Sequence, residues 1–421
     1  MKPFLDSLRQ NRLIASIVRH GWPNTRLNQA LVITNNFFLH LHPVKIPRHA
    51  LRFTYTFGLG GLAVLLFAVL TITGGLLMLY YVPSTEVAYD LMKDLRFTVP
   101  YGRLLRNLHR WAAHGMVIIV LLHLCRVFYT GAYKRPREFN WVVGFSLFVL
   151  TLGLAFTGYL LPWDQLAYWA INVGTEILQT APLIGKWGRE LLLGAEHIGQ
   201  NALLRFYALH VFFLPLIMGL LMGIHVWRVR KDGGISMPES ELTTIVLDLD
   251  DNEEDRPRPE APLKTYDLVA LPRGVPVITE REPENLVMTF PHLVFKEFTV
   301  AIAALALLLI ISFVFDAPLE QLADPEKTPN PAKAPWYFLG LQEMLSWGPP
   351  IIGGVIVPTV VSLVLMALPY FDRSPRGVGE WCASQRWRAV VLFTAVLLFF
   401  TIITILGTLF RGPNWRFTVP W

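Results

Sequence analysis

The sequence predicts an all-α membrane protein with seven spanning helices, and three observations predict it. Of its 421 residues 53% are hydrophobic and only 16% charged, with a mean hydropathy of +0.43, which no ordinary soluble domain of this length carries. Apolar runs long enough to cross ~30 Å of hydrocarbon lie at about 53–82, 104–130, 139–162, 201–228, 293–315, 349–370 and 386–410. Every alternate loop is basic: Lys2, Arg9, Arg12, Arg19, Arg26, Lys45, Arg48 and Arg52 precede the first run, Lys134, Arg135 and Arg137 follow the second, and Arg373, Arg376, Arg386 and Arg388 follow the sixth. The positive-inside rule places these on the cytoplasmic (n) side, so the N-terminus is expected there and the C-terminal RGPNWRFTVPW on the opposite (p) side. The net charge of +6 is juxtamembrane and suits anionic lipid headgroups, with no call for a nucleic-acid partner.

In chain order, the basic stretch Leu8 to Trp22 reads either as a helix on the lipid surface or as a solvated basic helix. The first run follows some fifty residues without a small-residue cleavage pattern and is expected to be a retained helix. Four spans close a first unit, residues 1–231. The acidic, proline-rich segment 232–290, with LDLDDNEEDRPRPEAP, is expected to be a cytoplasmic linker. Three spans then form a second unit, 291–421. Cys125 and Cys382 belong to no CxxC or CxxCH pattern and read as unpaired small hydrophobes.

Histidine inside an apolar span is a functional-site hypothesis by default. The second span carries His109 and His123, fourteen residues apart, and the fourth carries His210 and His225, fifteen apart. At ~100° and 1.5 Å per residue these intervals return to within ~40° and ~60° of the starting face, ~21 and ~22 Å along the axis. Both helices run p to n, so His109 can meet His210 and His123 can meet His225. That predicts two stacked bis-histidine metal sites of the six-coordinate haem type, a ligation suited to electron transfer. A lone membrane histidine is more often an interhelical hydrogen-bonder, but four at paired spacing reverse that balance. His114 is turned ~140° from His109 and is assigned no ligand role. Zinc is a poor alternative, because two histidines alone leave its coordination incomplete. Gly60 and Gly74 on the first span, and Gly144 and Gly158 on the third, repeat the fourteen-residue step and are expected to leave room at each iron; generic small-residue packing would not copy that interval. Arg106 and Arg126 each lie three residues from a ligand, where a guanidinium can pair with a haem propionate; Arg126 reads equally as a positive-inside anchor.

With RNLHRW, LLHLCRVFYTGAYKRPREFNWVVG, TGYLLPWDQLAYWA, LRFYALHVFFLPL and APWYFLGLQEML, nearly the whole chain outside 232–290 resembles cytochrome b of the quinol:cytochrome c (bc) and b6f-type complexes. The fifteen-residue interval and three-helix second half look like the b6f type, fused into one chain. The resemblance implies two b haems, the low-potential one on the p side at His109/His210 and the high-potential one on the n side at His123/His225. It also implies membrane quinol as substrate, a Rieske iron–sulphur protein and a c-type cytochrome as partners, a homodimer within a multi-subunit complex, and a bacterial-type energy-transducing membrane. RFTYTFG lacks the cysteine that holds an extra haem in b6f-type chains, so no covalent haem is expected.

The family's Pro-Glu-Trp-Tyr motif lines the quinol-oxidation pocket, and here it reads Ala334-Pro335-Trp336-Tyr337. Pro335 replaces the glutamate. Glu343 is the candidate proton acceptor, against an exposed carboxylate without a role; Tyr337 and Tyr159 are candidate hydrogen-bond partners of the quinol, and Trp336 shapes the pocket. Arg228, Lys231, Asp232 and His292 are the candidates for an n-side quinone site. A two-haem anchor of a dehydrogenase or hydrogenase would not need the APWYFLGLQE loop and three further spans. A haem-free transporter would show broken midplane helices or inverted repeats, which the sequence lacks.

Overall fold

The computed structural model describes residues 25–36, 39–232, 234–238, 286–374, 376–410 and 417, with backbone alone at 265–266 and 269–270. The Leu8–Trp22 stretch, most of the linker and all of the C-terminal RGPNWRFTVPW except Phe417 lie outside the described residues.

Among the described residues, seven helices are long and apolar enough to cross a membrane. In chain order the elements that position the site are α1 (Arg26–Asn35), strand β1 (Lys45–Pro47), α2 (Leu59–Met78), α3 (Ala88–Phe97), α4 (Gly102–Tyr129), α5 (Glu138–Tyr159), α6 (Gln165–Gln179), α7 (Gly185–Leu193) and α8 (Gln200–Lys231). They are followed by strand β2 (Leu286–Met288), α9 (Thr289–Val314), α10 (Trp336–Leu345), α11 (Ile351–Phe371) and α12 (Ser384–Leu409). The spans are α2, α4, α5, α8, α9, α11 and α12. This is an all-α integral membrane protein.

The first span starts later than its apolar run. Phe57 and Gly58 both sit in the left-handed region, at φ 50 and 65, so a four-residue turn, Phe53–Thr56, is cut off from α2. The end of the linker is also more structured than expected, because Leu286–Met288 pairs antiparallel with Lys45–Pro47, in register Ile46 with Val287.

α8 departs most from a regular helix. Leu209–Phe213 form a π-turn in which the Leu214 N–H bonds back to Leu209 O. Pro215 follows, has no N–H to offer Val211 and would clash there, and the wider turn resolves both problems. α11 repeats the device, with a π-turn at Ile351–Ile356 just before Pro358.

Two seams join the halves. At the His109 end, Arg106 donates to Ala317 O and Pro318 O at 2.7 and 2.6 Å, Asn107 bonds Ser312 O and Asp316, and Trp111 reaches Phe315 O. Asp316 also takes Arg96 and Arg103, which hold its carboxyl below the usual range. At the His123 end, buried Lys134 pairs with Asp372 at 2.9 Å, Tyr133 donates to the same carboxylate, and Arg386 donates to Phe128 O. Asp372→Ala would leave the Lys134 ammonium, only 2% exposed, without its anionic partner and held by the Ser374 and Arg376 carbonyls alone, and is expected to cost about 3 kcal/mol, the low end of the range for breaking a buried pair. A large fall in thermal unfolding temperature in detergent checks it.

Candidate haem and quinol sites

Helix geometry alone brings the four histidines into two pairs. The His109 and His210 ring centroids lie 6.2 Å apart, and those of His123 and His225 6.3 Å. A coordinating nitrogen sits ~1.1 Å from its ring centroid and a metal–nitrogen bond is ~2.0–2.1 Å, so two imidazoles across one metal atom place their centroids ~6.3 Å apart. Both pairs have that spacing. The π-turn explains how a fifteen-residue interval matches a fourteen-residue one: it holds one extra residue, so His210 and His225 return to phase. The interval then counts as fourteen steps, within ~40° of the starting face as on α4, rather than the ~60° expected from the sequence.

The glycines stand one to a histidine. A Cβ on Gly60 would lie 3.5 Å from His123 Cε1, on Gly74 3.2 Å from His109 Cε1, on Gly144 3.0 Å from His225 Cε1, and on Gly158 2.5 Å from His210 Cε1. Gly74, Gly144 and Gly158 therefore clear the imidazoles themselves, a closer constraint than the room at the iron that the sequence suggested, whereas a Cβ at Gly60 would make ordinary contact.

Thr73 and Thr157, which sequence reading missed, complete the His109 end. The Thr73 hydroxyl donates to Val69 O at 2.7 Å, so its oxygen accepts from His109 Nδ1 at 2.9 Å. His210 Nδ1 lies 3.0 Å from Leu154 O and 3.3 Å from Thr157 Oγ1, whose hydroxyl donates to Gly153 O. Carbonyl and engaged hydroxyl can only accept, so each Nδ1 carries the hydrogen and each Nε2 keeps its lone pair for a metal. The signal was the repeated Thr-Gly at 73–74 and 157–158; Leu59 and Val143 hold those places at the other end.

The two arginines differ. Arg106 spends both terminal nitrogens on the 317–318 backbone. Arg126 donates Nε to Tyr55 O at 3.1 Å and lies over the Tyr55 ring, while its Nη2 is buried and has no hydrogen-bond partner among the described residues. An orphaned guanidinium nitrogen beside His123 fits an anionic haem edge. With the centroid spacing and glycine clearance at both pairs, and the tautomers fixed at the His109/His210 pair, the residues fit two bis-histidine haems.

Around Trp336 a second cluster forms. Pro335 caps α10, whose first residues face α4: Trp336 Nε1 donates to His114 Nδ1 at 2.8 Å, and the Tyr337 ring centroid lies 5.9 Å from that of His114. Phe338 packs on Phe156. Arg110 lies over the Tyr159 ring at 5.1 Å. Burial raises the Tyr337 phenol, against the pull of Arg110. Asp164, which caps α6 by accepting from Ala167 N and also accepts from Glu320 N, is raised by burial although Arg106 and Arg110 face it. His114 is the member that sequence reading left out. Its contact spans 222 positions of chain, and no local pattern announces it.

Glu343 lies at the α12 side of α10. It is 4% exposed, so the reading of an exposed carboxylate is corrected. Trp347 Nε1 approaches it at 3.3 Å and Ser346 Oγ at 3.5 Å. It lines a cavity of about 240 Å³ with Lys333, Gln342, Ser346 and Gly407. At the other membrane face Arg228 pairs with Asp232 at 2.8 Å, Lys231 lies over Trp227 and His292 is exposed. The structure thus unites two of the four n-side candidates. A cleft of about 640 Å³ along α6 and α7, lined by Lys186, Arg189, Glu190 and Arg205, shares no residue with either cluster. Cys125 is buried and Cys382 exposed, and neither is bridged.

The family model described as cytochrome b/b6/petB matches residues 45–233, and that for the cytochrome b C-terminal/b6/petD region matches 322–418. Cytochrome b6 of Heliobacterium mobile is 44% identical over 192 residues, 46% of this chain and 88% of the relative. The chain belongs to the cytochrome b/b6 family. Cytochrome b6 of Euglena gracilis is 42% identical over 188 residues, 45% of this chain and 86% of its own. A solved chain of a hyperthermophilic respiratory Complex III superposes with a TM-score of 0.70 at 27% identity, covering 97% of this chain and 92% of that one. A b6-like first part and a subunit IV-like second part lie in one polypeptide. Membership in the cytochrome b/b6 family carries haem b binding and a place in a bc/b6f-type redox complex.

Proposed function

We propose that the chain is the two-haem subunit of a quinol-oxidising complex, held in the membrane with its N-terminus and the 232–290 linker on the n side and the His109 end on the p side. The single observation that carries this reading is the pair of 6.2 and 6.3 Å histidine separations. His109 and His210 would hold a low-potential haem, His123 and His225 a high-potential one, with the Arg126 nitrogen paired to a propionate. When bound, the two haems supply a one-electron path across the bilayer, where moving a full charge against 100 mV takes ~2.3 kcal/mol. The chain's own residues fix the tautomers of His109 and His210, clear space for the imidazole rings and bind quinol at α10.

Quinol oxidation on the p side would divide its electrons between a Rieske iron–sulphur protein and the haem pair, with release of protons and, through a c-type cytochrome, transfer onward. The p-side pocket is assigned to Tyr337, Tyr159, Trp336 and the Pro335 cap. Glu343 is the proposed proton acceptor, supported by its burial beside a cavity. Glu343→Gln is expected to lower turnover and shift its pH dependence; a steady-state pH profile indistinguishable from that of the unsubstituted protein removes Glu343 from the mechanism. Arg228 and Asp232, with the exposed Lys231 and His292, are proposed for the n-side quinone. A homodimer, with 1–231 and 291–421 as its two units per protomer, completes the proposal. Quinol mixed with the oxidised complex should reduce haem b within milliseconds to seconds, and quinol that never reduces haem b refutes the reading.

A further inference from the structure

Trp336 fixes the tautomer of His114. The indole has one hydrogen-bonding group, an N–H donor, and it donates to His114 Nδ1 at 2.8 Å. Nδ1 of the neutral ring is therefore the bare nitrogen and Nε2 carries the hydrogen. Among the described residues Nε2 has no hydrogen-bond partner in the structure, and it is not sealed from its surroundings like the buried orphan nitrogens. The ring is held between Trp111 at 5.4 Å and Trp336 at 6.5 Å, with Tyr337 at 5.9 Å. Trp111 is itself tied to Phe315 O. An N–H donor is thus presented by a rigid aromatic frame beside the first two residues of α10.

A hydroquinone and its quinone offer oxygen at both ends of a flat ring, and an oxygen that loses its proton gains negative charge. A preset N–H donor favours that charge without reorganising. Pro335 has neither donor nor carboxylate at the motif position. We propose that His114, held in its Nε2–H form by Trp336, donates a hydrogen bond to one oxygen of the quinol ring in the p-side pocket. The inference rests on the quinol reading above and assigns a contact to a residue outside the motif that carries that reading.

The test uses the detergent-purified complex, a short-chain ubiquinol analogue and a short-chain menaquinol analogue as probes, and haem-b reduction as the readout. His114→Leu removes both hydrogen bonds and is expected to raise the apparent KM roughly 3- to 10-fold, the worth of one net hydrogen bond. The haem-b spectra and both midpoint potentials should stay as in the unsubstituted complex. His114→Gln can accept from Trp336 and donate from its amide, and should restore most of the lost affinity. Trp336→Phe frees the tautomer and should raise KM with His114 intact. An unchanged KM in the leucine variant, or a glutamine variant no better than leucine, overturns the proposal. Should the leucine variant fail to assemble, near-normal KM for glutamine with raised KM for Trp336→Phe supports it, and any other pattern overturns it. An unsubstituted complex that neither quinol reduces would instead refute the quinol reading itself.

Discussion

His210→Leu is expected to remove one of two b haems per chain and to lower quinol turnover more than ~100-fold, beyond the 10–100-fold typical when only a supporting contact of a metal ligand is lost. The reason is geometric. His210 sits in the π-turn with Nδ1 bonded to Leu154 O, so Nε2 alone can complete the pair with His109. Leucine is apolar and fits a spanning helix, so helical content should persist while the haem-to-protein ratio halves. Thr157→Val, which removes a supporting contact at 3.3 Å, should retain both haems and lose far less activity. Loss of both haems in His210→Leu would mean that the two sites assemble together rather than separately.

Gly158→Ala is expected to damage the same site through a single methyl group. Its Cβ would stand 2.5 Å from His210 Cε1 and 2.9 Å from Nε2, closer than real Cβ atoms come, so ring or helix must move. Overpacking of this kind costs about 1–3 kcal/mol, and here it also tilts a metal ligand. Gly60→Ala, with 3.5 Å to His123 Cε1, is ordinary contact and should keep its haem. Optical redox titration of the two variants checks the contrast. A shifted or missing low-potential transition is expected for Gly158→Ala, with an unchanged pair of transitions for Gly60→Ala.

The parts legible in the sequence are those that helical periodicity transmits. Seven apolar runs became seven spans, and the four histidines met in pairs because α4 carries a fourteen-residue step faithfully and the π-turn of α8 absorbs the extra residue of its fifteen-residue step. Four glycines on that step faced four rings for the same reason. The departures arise where one residue changes local geometry or where distant segments meet. Phe57 and Gly58 broke an apolar run by adopting left-handed backbone, which hydropathy does not register. Pro215 widened one turn of α8, an effect on hydrogen bonding that a 100° count omits. His114 was set aside because it faces away from His109, and that is the direction from which Trp336 approaches. Glu343 was legible as a carboxylate near the motif, but its burial depends on α12, which contributes Gly407 beside Leu339.

The central claim is that each chain holds two b haems in series between α4 and α8. Pyridine haemochrome analysis of the purified protein, followed by a redox titration of its α-band, tests it most directly. The account predicts two b haems per chain titrating at separated potentials. A folded helical protein with one haem or none would contradict it.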